Sequence, residues 1–166
     1  MLIRYLSDSD DPLEISRIYE QSWKYAYKGI IAQEFLDSIP HGRWANLDAQ
    51  NRKHLVAVHD SKLIGTASFC PSRWEQHKNC GEIISIYFLP EYIGKGFGRL
   101  LLQECVKELK KDGFDRIILW VLEENHAARR FYEKNGFVCT RELRQDNIGG
   151  KPLRETLYSL NTTDAK

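Results

Sequence analysis

Cysteine is scarce and scattered in this chain of 166 residues. There are four, Cys70, Cys80, Cys105 and Cys139, and no two stand at C-x-x-C spacing. That argues against a zinc site or a disulfide framework and for buried free thiols in a reducing cytoplasm. Charge of one sign is lacking too. Lys and Arg number 24 against 23 Asp and Glu, a formal net charge of +1. A nucleic-acid binder that relies on a large basic field is therefore disfavoured, although a local patch is not. No apolar run approaches the roughly 20 residues of a membrane span. The opening MLIRYLSDSDD runs from apolar residues into acids, without the pattern of a secretory signal. Repeats, linkers and low-complexity stretches are missing as well. The expectation is one cytoplasmic domain over residues 1–161, with a frayed polar tail at 162–166. At 42% hydrophobic and 28% charged, such a chain has enough apolar material for a core.

The order of elements is read from periodicity and punctuation. Residues 2–6 predict a short strand. Asp10-Asp11-Pro12 predicts a helix start, and Ile15, Ile18, Tyr19, Ser22 and Trp23 follow at helical spacing, with Gly29 as the stop. A loop and a short helix around Phe35 and Leu36 come next, then a polar, helical 42–52. Residues 54–59 and 63–70 predict a hairpin around Asp60-Ser61-Lys62, and 71–79 a polar connection. GEIISIYFL, 81–89, is β-branched and aromatic, a strong strand. Residues 98–111 predict a helix with Leu101, Leu102, Cys105, Val106 and Leu109 on one side and Gly113 beyond its end. DRIILWVL, 115–122, reads as a central strand. Asn125 predicts a cap for the next helix, which Gly136 ends. Two closing strands, 137–144 and 153–160, flank the turn at 147–150. The fold class is α/β with a mixed sheet, and the strand–helix–strand run 81–122 makes its two strands parallel neighbours.

Between strand and helix lies YFLPEYIGKGFGRLLL, residues 87–102. Gly94, Gly96 and Gly98 leave room for a large anion against the backbone, and the helix start that follows presents unpaired N–H groups and a partial positive charge. A phosphate-bearing ligand fits that description. No Ser or Thr follows the Gly94-Lys95 pair, so a Walker A loop is excluded. The third glycine comes one residue early for a dinucleotide fingerprint. A tight turn alone would need one glycine, not three.

Two stretches resemble the GNAT superfamily of N-acetyltransferases. IGKGFG after FLPEY is similar to the family's acetyl-CoA loop, [Q/R]-x-x-G-x-[G/A], with Ile93 in place of the leading Gln or Arg. NHAARRFYEKNGF, 125–137, matches the second signature, N-x-x-A-x-x-[FL]-Y-x-x-x-G-F, at every fixed position. The segment SWKYAYKGIIAQEFLDSI resembles the family's acceptor-side helices.

The resemblance implies a GNAT acyl-CoA N-acyltransferase fold whose central strands splay around acetyl-CoA, with no metal. Ile86, Tyr87 and Phe88 would offer the strand edge to the pantetheine arm. The amides of Gly94, Lys95, Gly96, Phe97, Gly98 and Arg99 would hold the pyrophosphate, and Ile93 would weaken that hold rather than abolish it. Tyr132 would donate a proton to the departing thiolate, or merely pack on Phe131. Asn125 would cap its helix and reach the pantetheine. Glu82 is the expected base, with Glu123, Glu124 and His126 as alternatives. Arg129, Arg130 and Lys134 would face solvent or the cofactor's 3′-phosphate. The acceptor site would draw on Trp23, Tyr25, Tyr27, Trp44 and Trp74, and His54, His59 and His77 would be surface residues. The implied acceptor is a small-molecule amine or a peptide amine, in a monomer or homodimer. A non-catalytic acyl-CoA sensor is the third possibility.

Overall fold

The computed structural model describes residues 1–47 and 52–163. Seven strands form one mixed sheet: β1 (Leu2–Tyr5), β2 (Lys53–His59), β3 (Lys62–Pro71), β4 (Gly81–Phe88), β5 (Arg116–Leu122), β6 (Val138–Ile148) and β7 (Lys151–Asn161). Their spatial order is β1-β2-β3-β4-β5-β7-β6. Every pairing is antiparallel except β4 with β5. The parallel pair needs a long crossover, and α3 (Phe97–Lys111) supplies it.

Helices cover both faces of the sheet's centre. On one face Leu101, Leu102, Cys105 and Leu109 of α3 pack with Phe69, Ile83, Phe88, Ile117 and Leu119, all buried. The side chains of Ala128, Phe131 and Tyr132 from α4 (His126–Lys134) join this cluster. On the other face Ile15, Ile18 and Tyr19 of α1 (Pro12–Ala26) pack on Val56, Leu63 and Leu89. Each such side chain contributes roughly 1.5–3 kcal/mol when fully buried, so the central strands are held from both sides. α2 (Gln33–Asp37) places Leu36 in a third cluster with Leu122 and Leu153.

Local signals fall where the chain chemistry puts them. The Asp11 side chain accepts from the Leu13 N–H at 2.9 Å, capping α1, and Pro12 opens the helix. Asn125 caps α4, accepting from the Ala128 N–H at 3.1 Å. Cys70, Cys80 and Cys105 are buried free thiols, and Cys139 is half-buried.

The structure departs from expectation in three places. Residues 41–44 form a turn and 45–47 are irregular, so the helix predicted over 42–52 is not seen there; 48–51 lie outside the described residues. The last hairpin is longer than expected, because β6 and β7 continue to the two-residue turn at Gly149 and Gly150. Thr162 does not fray: its N–H and hydroxyl both donate to the Asp115 carbonyl, at 2.8 and 3.1 Å, and it is buried.

One irregularity sets up the site. β3 pairs Ser68 with Ser85 but Phe69 with Ile83, leaving Ile84 as an extra residue in β4. Such a bulge shifts the alternation of side chains along the strand. As a result Ile83, Ile86 and Phe88 belong to the α3 side, while Ser85 and Tyr87 meet Tyr19 of α1.

Candidate active site at the splay between β4 and β5

β4 and β5 pair only at Gly81 with Ile117 and Glu82 with Ile118. Beyond that point the strands diverge, and the facing edge of β4 has no strand partner. A cavity of about 300 Å³ occupies the gap. Ile86, Tyr87 and Phe88 line one side, Gly94, Gly96, Gly98 and Arg99 its end, and Asn125 and Tyr132 the other side. Gly94 and Gly96 adopt φ of +80° and +83°, the left-handed region, and nothing lies within 4 Å of where a Cβ would sit on either. Gly96 is also the N-cap of α3, with no side chain bonded over the helix start. The loop is thus an uncovered set of backbone donors, which suits a pyrophosphate. Gly98 differs: its φ is not left-handed, and a Cβ there would make ordinary van der Waals contact with the Phe131 ring at 3.4 Å.

A second cavity, of about 490 Å³, opens on the α1 side. Tyr19, Trp23, Tyr27 and Trp44 form its aromatic wall. Glu82 lies at its inner side and is 1% exposed. It accepts four hydrogen bonds, from the Arg73 backbone N–H, Nε and Nη2 and from Trp74 Nε1, at 2.7–3.1 Å. Burial on its own would raise this carboxyl; the Arg73 and Trp74 donors outweigh burial and hold it below its ordinary 4.5. Trp74 stacks edge-on against Trp120, and the Arg144 guanidinium lies over both rings at 4.4 and 4.9 Å.

The two cavities share Tyr27, Ser85, Tyr87, Trp120 and Glu155. Trp23 Nε1 donates to Tyr87 Oη at 3.1 Å, and the Tyr27 and Tyr87 hydroxyls are 3.4 Å apart. Burial pushes Tyr27 up to about 12 and Tyr87 well above 10, so both stay protonated at neutral pH. Glu155 stands opposite Leu122 in the β5–β7 register and accepts from Arg144 Nε. Tyr132 lines the first cavity beside this junction. Burial raises its phenol, and its hydroxyl has no hydrogen-bond partner among the described residues.

Comparison with known proteins agrees with this geometry. The model of the Acetyltransferase (GNAT) family matches residues 14–137. The chain belongs to the GNAT family. A spermidine N(1)-acetyltransferase of Thermoplasma acidophilum is 32% identical, with 94% of this chain and 96% of that protein covered. An uncharacterised N-acetyltransferase of Bacillus subtilis, YuaI, is 28% identical over 92% of this chain and 94% of its own length. The crystal structure of PaiA N-acetyltransferase from Thermoplasma acidophilum, in complex with coenzyme A, superposes with a TM-score of 0.75 at 27% identity, covering 97% and 99% of the two chains.

Within this GNAT fold the expected residues divide. Ile86, Tyr87, Phe88, Gly94, Gly96, Gly98, Arg99, Asn125 and Tyr132 gather around one cavity. Lys95 and Phe97 line neither cavity: the Lys95 ammonium sits over the Tyr92 ring at 5.2 Å and Phe97 packs against His59. Glu82 reaches the acceptor cavity and not the junction. Glu123 pairs with Arg154, while Glu124 and His126 are exposed; none of the three lines either of these cavities.

Other expectations need correction. Arg129 is not a freely solvated side chain: it is partly buried and donates to Tyr158 Oη and the Glu123 carbonyl at 3.0 and 3.1 Å. His77 is not a surface residue but bonds Glu142 with its side chain 10% exposed, and His54 lines the acceptor cavity. Tyr25 is exposed, and neither it nor Trp74 lines either cavity.

Glu155 was missed by sequence reasoning. It lies within the strand predicted over 153–160, but only the order β5-β7-β6 brings that strand beside the splay.

Proposed function

We propose that this GNAT enzyme moves an acetyl group from acetyl-CoA onto the primary amine of a small molecule, by direct attack while both are bound. The observation that carries this reading is the meeting of the two cavities at Tyr27, Tyr87 and Glu155, next to an unpartnered Tyr132 hydroxyl. The thioester supplies an activated acetyl group. Everything else falls to the chain. The glycine loop and the free edge of β4 hold the phosphates and the extended arm, through backbone groups that lack partners of their own.

An alkyl ammonium must lose a proton before its nitrogen can attack. Glu155 is the carboxylate at the junction and receives that proton in this proposal. Glu82, the base expected from sequence, has both oxygens committed to Arg73 and Trp74, and its depressed pKa makes it a weak acceptor. Its part is to fix Arg73 in the cavity wall, with Trp74 as a further donor to it. The new bond forms from nitrogen to the acetyl carbonyl carbon as the carbon–sulfur bond breaks. Tyr132, kept protonated by burial, donates to the sulfur.

The test is turnover of acetyl-CoA over a panel of amines and N-terminal peptides, followed by release of free thiol. Thiol release with a free amine and N-acetyl product supports the reading. Transfer confined to peptides would replace the small molecule with a protein acceptor, and tight acetyl-CoA binding without transfer would replace the enzyme with a sensor. Glu155→Gln should lower kcat by about tenfold to a hundredfold with acetyl-CoA affinity retained. An unaltered kcat would return the base role to another group.

A further inference from the structure

Two buried hydrogen-bond donors beside the second cavity have no acceptor among the described residues. They are Arg52 Nε and Trp120 Nε1, and both residues line that cavity. Arg52 also makes no ion pair among the described residues. Its position is costly: burial disfavours the guanidinium charge, and the nearby Arg73 adds repulsion. Both unsatisfied groups are donors only, so what they lack among the described residues is an acceptor atom.

The charge pattern points the same way. Four arginines line the cavity, Arg43, Arg52, Arg73 and Arg144, against the carboxylates of Glu82, Asp146 and Glu155. Glu82 is consumed by Arg73 and Glu155 is bonded by Arg144. Asp146 is exposed and caps the Asn147 N–H. Arg43 and Arg52 are left over, Arg43 lying over the Trp44 ring at 5.6 Å. The unanswered charge of the cavity is therefore positive, while the carboxylate of Glu155 stands at the junction with the cofactor side.

We propose that the acceptor is a small zwitterion: an amine that also carries an anionic group, a carboxylate or a phosphate, with Arg52 and Trp120 Nε1 holding the anion and the ammonium directed to Glu155. This rests on the acetyltransferase reading above and narrows its substrate. A polyamine, cationic along its whole length, would meet a described lining of four arginines against three carboxylates here. Specificity of this kind is steep, because an analogue without the anion leaves buried donors unpaired.

Two readouts test it. The first is thiol release with phenylalanine and methionine against their amides, with O-phosphoethanolamine against ethanolamine, and with spermidine. The second is quenching of tryptophan fluorescence by the same compounds in the coenzyme A-loaded protein, which requires no turnover. Acids should exceed the matching neutral amines by about tenfold to a hundredfold in kcat/KM and in affinity. The amino-acid and phosphoethanolamine arms say which anion is held. Arg52→Met should erase that preference, with acetyl-CoA affinity reporting that the fold is intact; Arg52→Lys should restore part of it. Neutral amines or spermidine preferred over the acids, or a preference that survives Arg52→Met, would overturn the proposal. Charge-selective, Arg52-dependent binding without acetyl transfer would uphold the anion site and sink the enzymatic reading. Transfer without charge selectivity would do the reverse.

Discussion

The cofactor-side cavity and the acceptor-side cavity meet at one set of residues but are built from different materials. The first is mainly backbone: a free strand edge, two left-handed glycines and an uncovered helix start. The second is mainly side chains, with aromatic rings from α1 and the turn after α2, arginines from four separate segments and carboxylates from β4 and β7. Backbone donors are the same whatever side chain they carry, so a backbone site tolerates substitution until something fills its space. A side-chain site has no such tolerance. Its carboxylates are held by neighbouring side chains, as Glu82 is by Arg73 and Trp74, and exchanging one changes what the cavity accepts.

That contrast is open to breakage, starting with its largest expected effect. Gly96→Asp adds a Cβ at φ +83° and a negative charge where an anion should sit, and should weaken acetyl-CoA binding by about a hundredfold or more in calorimetry. Binding within a few-fold of the parent protein would show that the loop is not the anion cradle. Tyr132→Phe keeps the ring packed on Phe131 and Phe137 and removes only the hydroxyl. The expected result is a kcat lowered by about tenfold to a hundredfold with acetyl-CoA affinity retained; an equal kcat would reduce Tyr132 to packing.

Glu82→Gln sharpens the acceptor side. It breaks the pair with Arg73, whose side chain is 40% exposed and so partly answered by water, and should cost about 1–3 kcal/mol in urea unfolding at pH 7. The sign of the pH dependence follows from a folded pKa below the ordinary 4.5. The carboxylate's contribution is full above about pH 4.5 and is lost as pH falls through the depressed value, so parent and variant should converge in acid. A drop in kcat far beyond any change in acceptor KM would make Glu82 the base after all and displace Glu155. The smallest effect belongs to Ile93, which is 43% exposed at the mouth of the cofactor cavity. Ile93→Arg should tighten acetyl-CoA binding by about two- to fivefold at low salt, the scale of a solvent-screened ion pair. A larger gain would mean that the loop depends on side chains as much as on backbone.

How much of this was legible in sequence follows the same division. The glycine loop and the N-x-x-A-x-x-F-Y helix are contiguous stretches, so their spacing alone specifies a turn, a helix start and the face that carries Tyr132. Local chemistry decides them: Gly96 reaches φ that other residues avoid, and Asn125 caps its own helix. The acceptor cavity is spread from Tyr19 to Glu155, and no local rule joins them. Three tertiary facts do. The strand order sets β7 beside β5, the extra residue Ile84 turns Ser85 and Tyr87 toward α1, and the 71–79 connection folds back to bury Glu82 under Arg73 and Trp74. The chain by itself therefore determined that it binds an activated acyl carrier, because that chemistry is written into adjacent residues. Which side chains line the second cavity was decided by packing, because only the tertiary fold brings Arg52, Arg73, Arg144 and Glu155 from distant segments to one place.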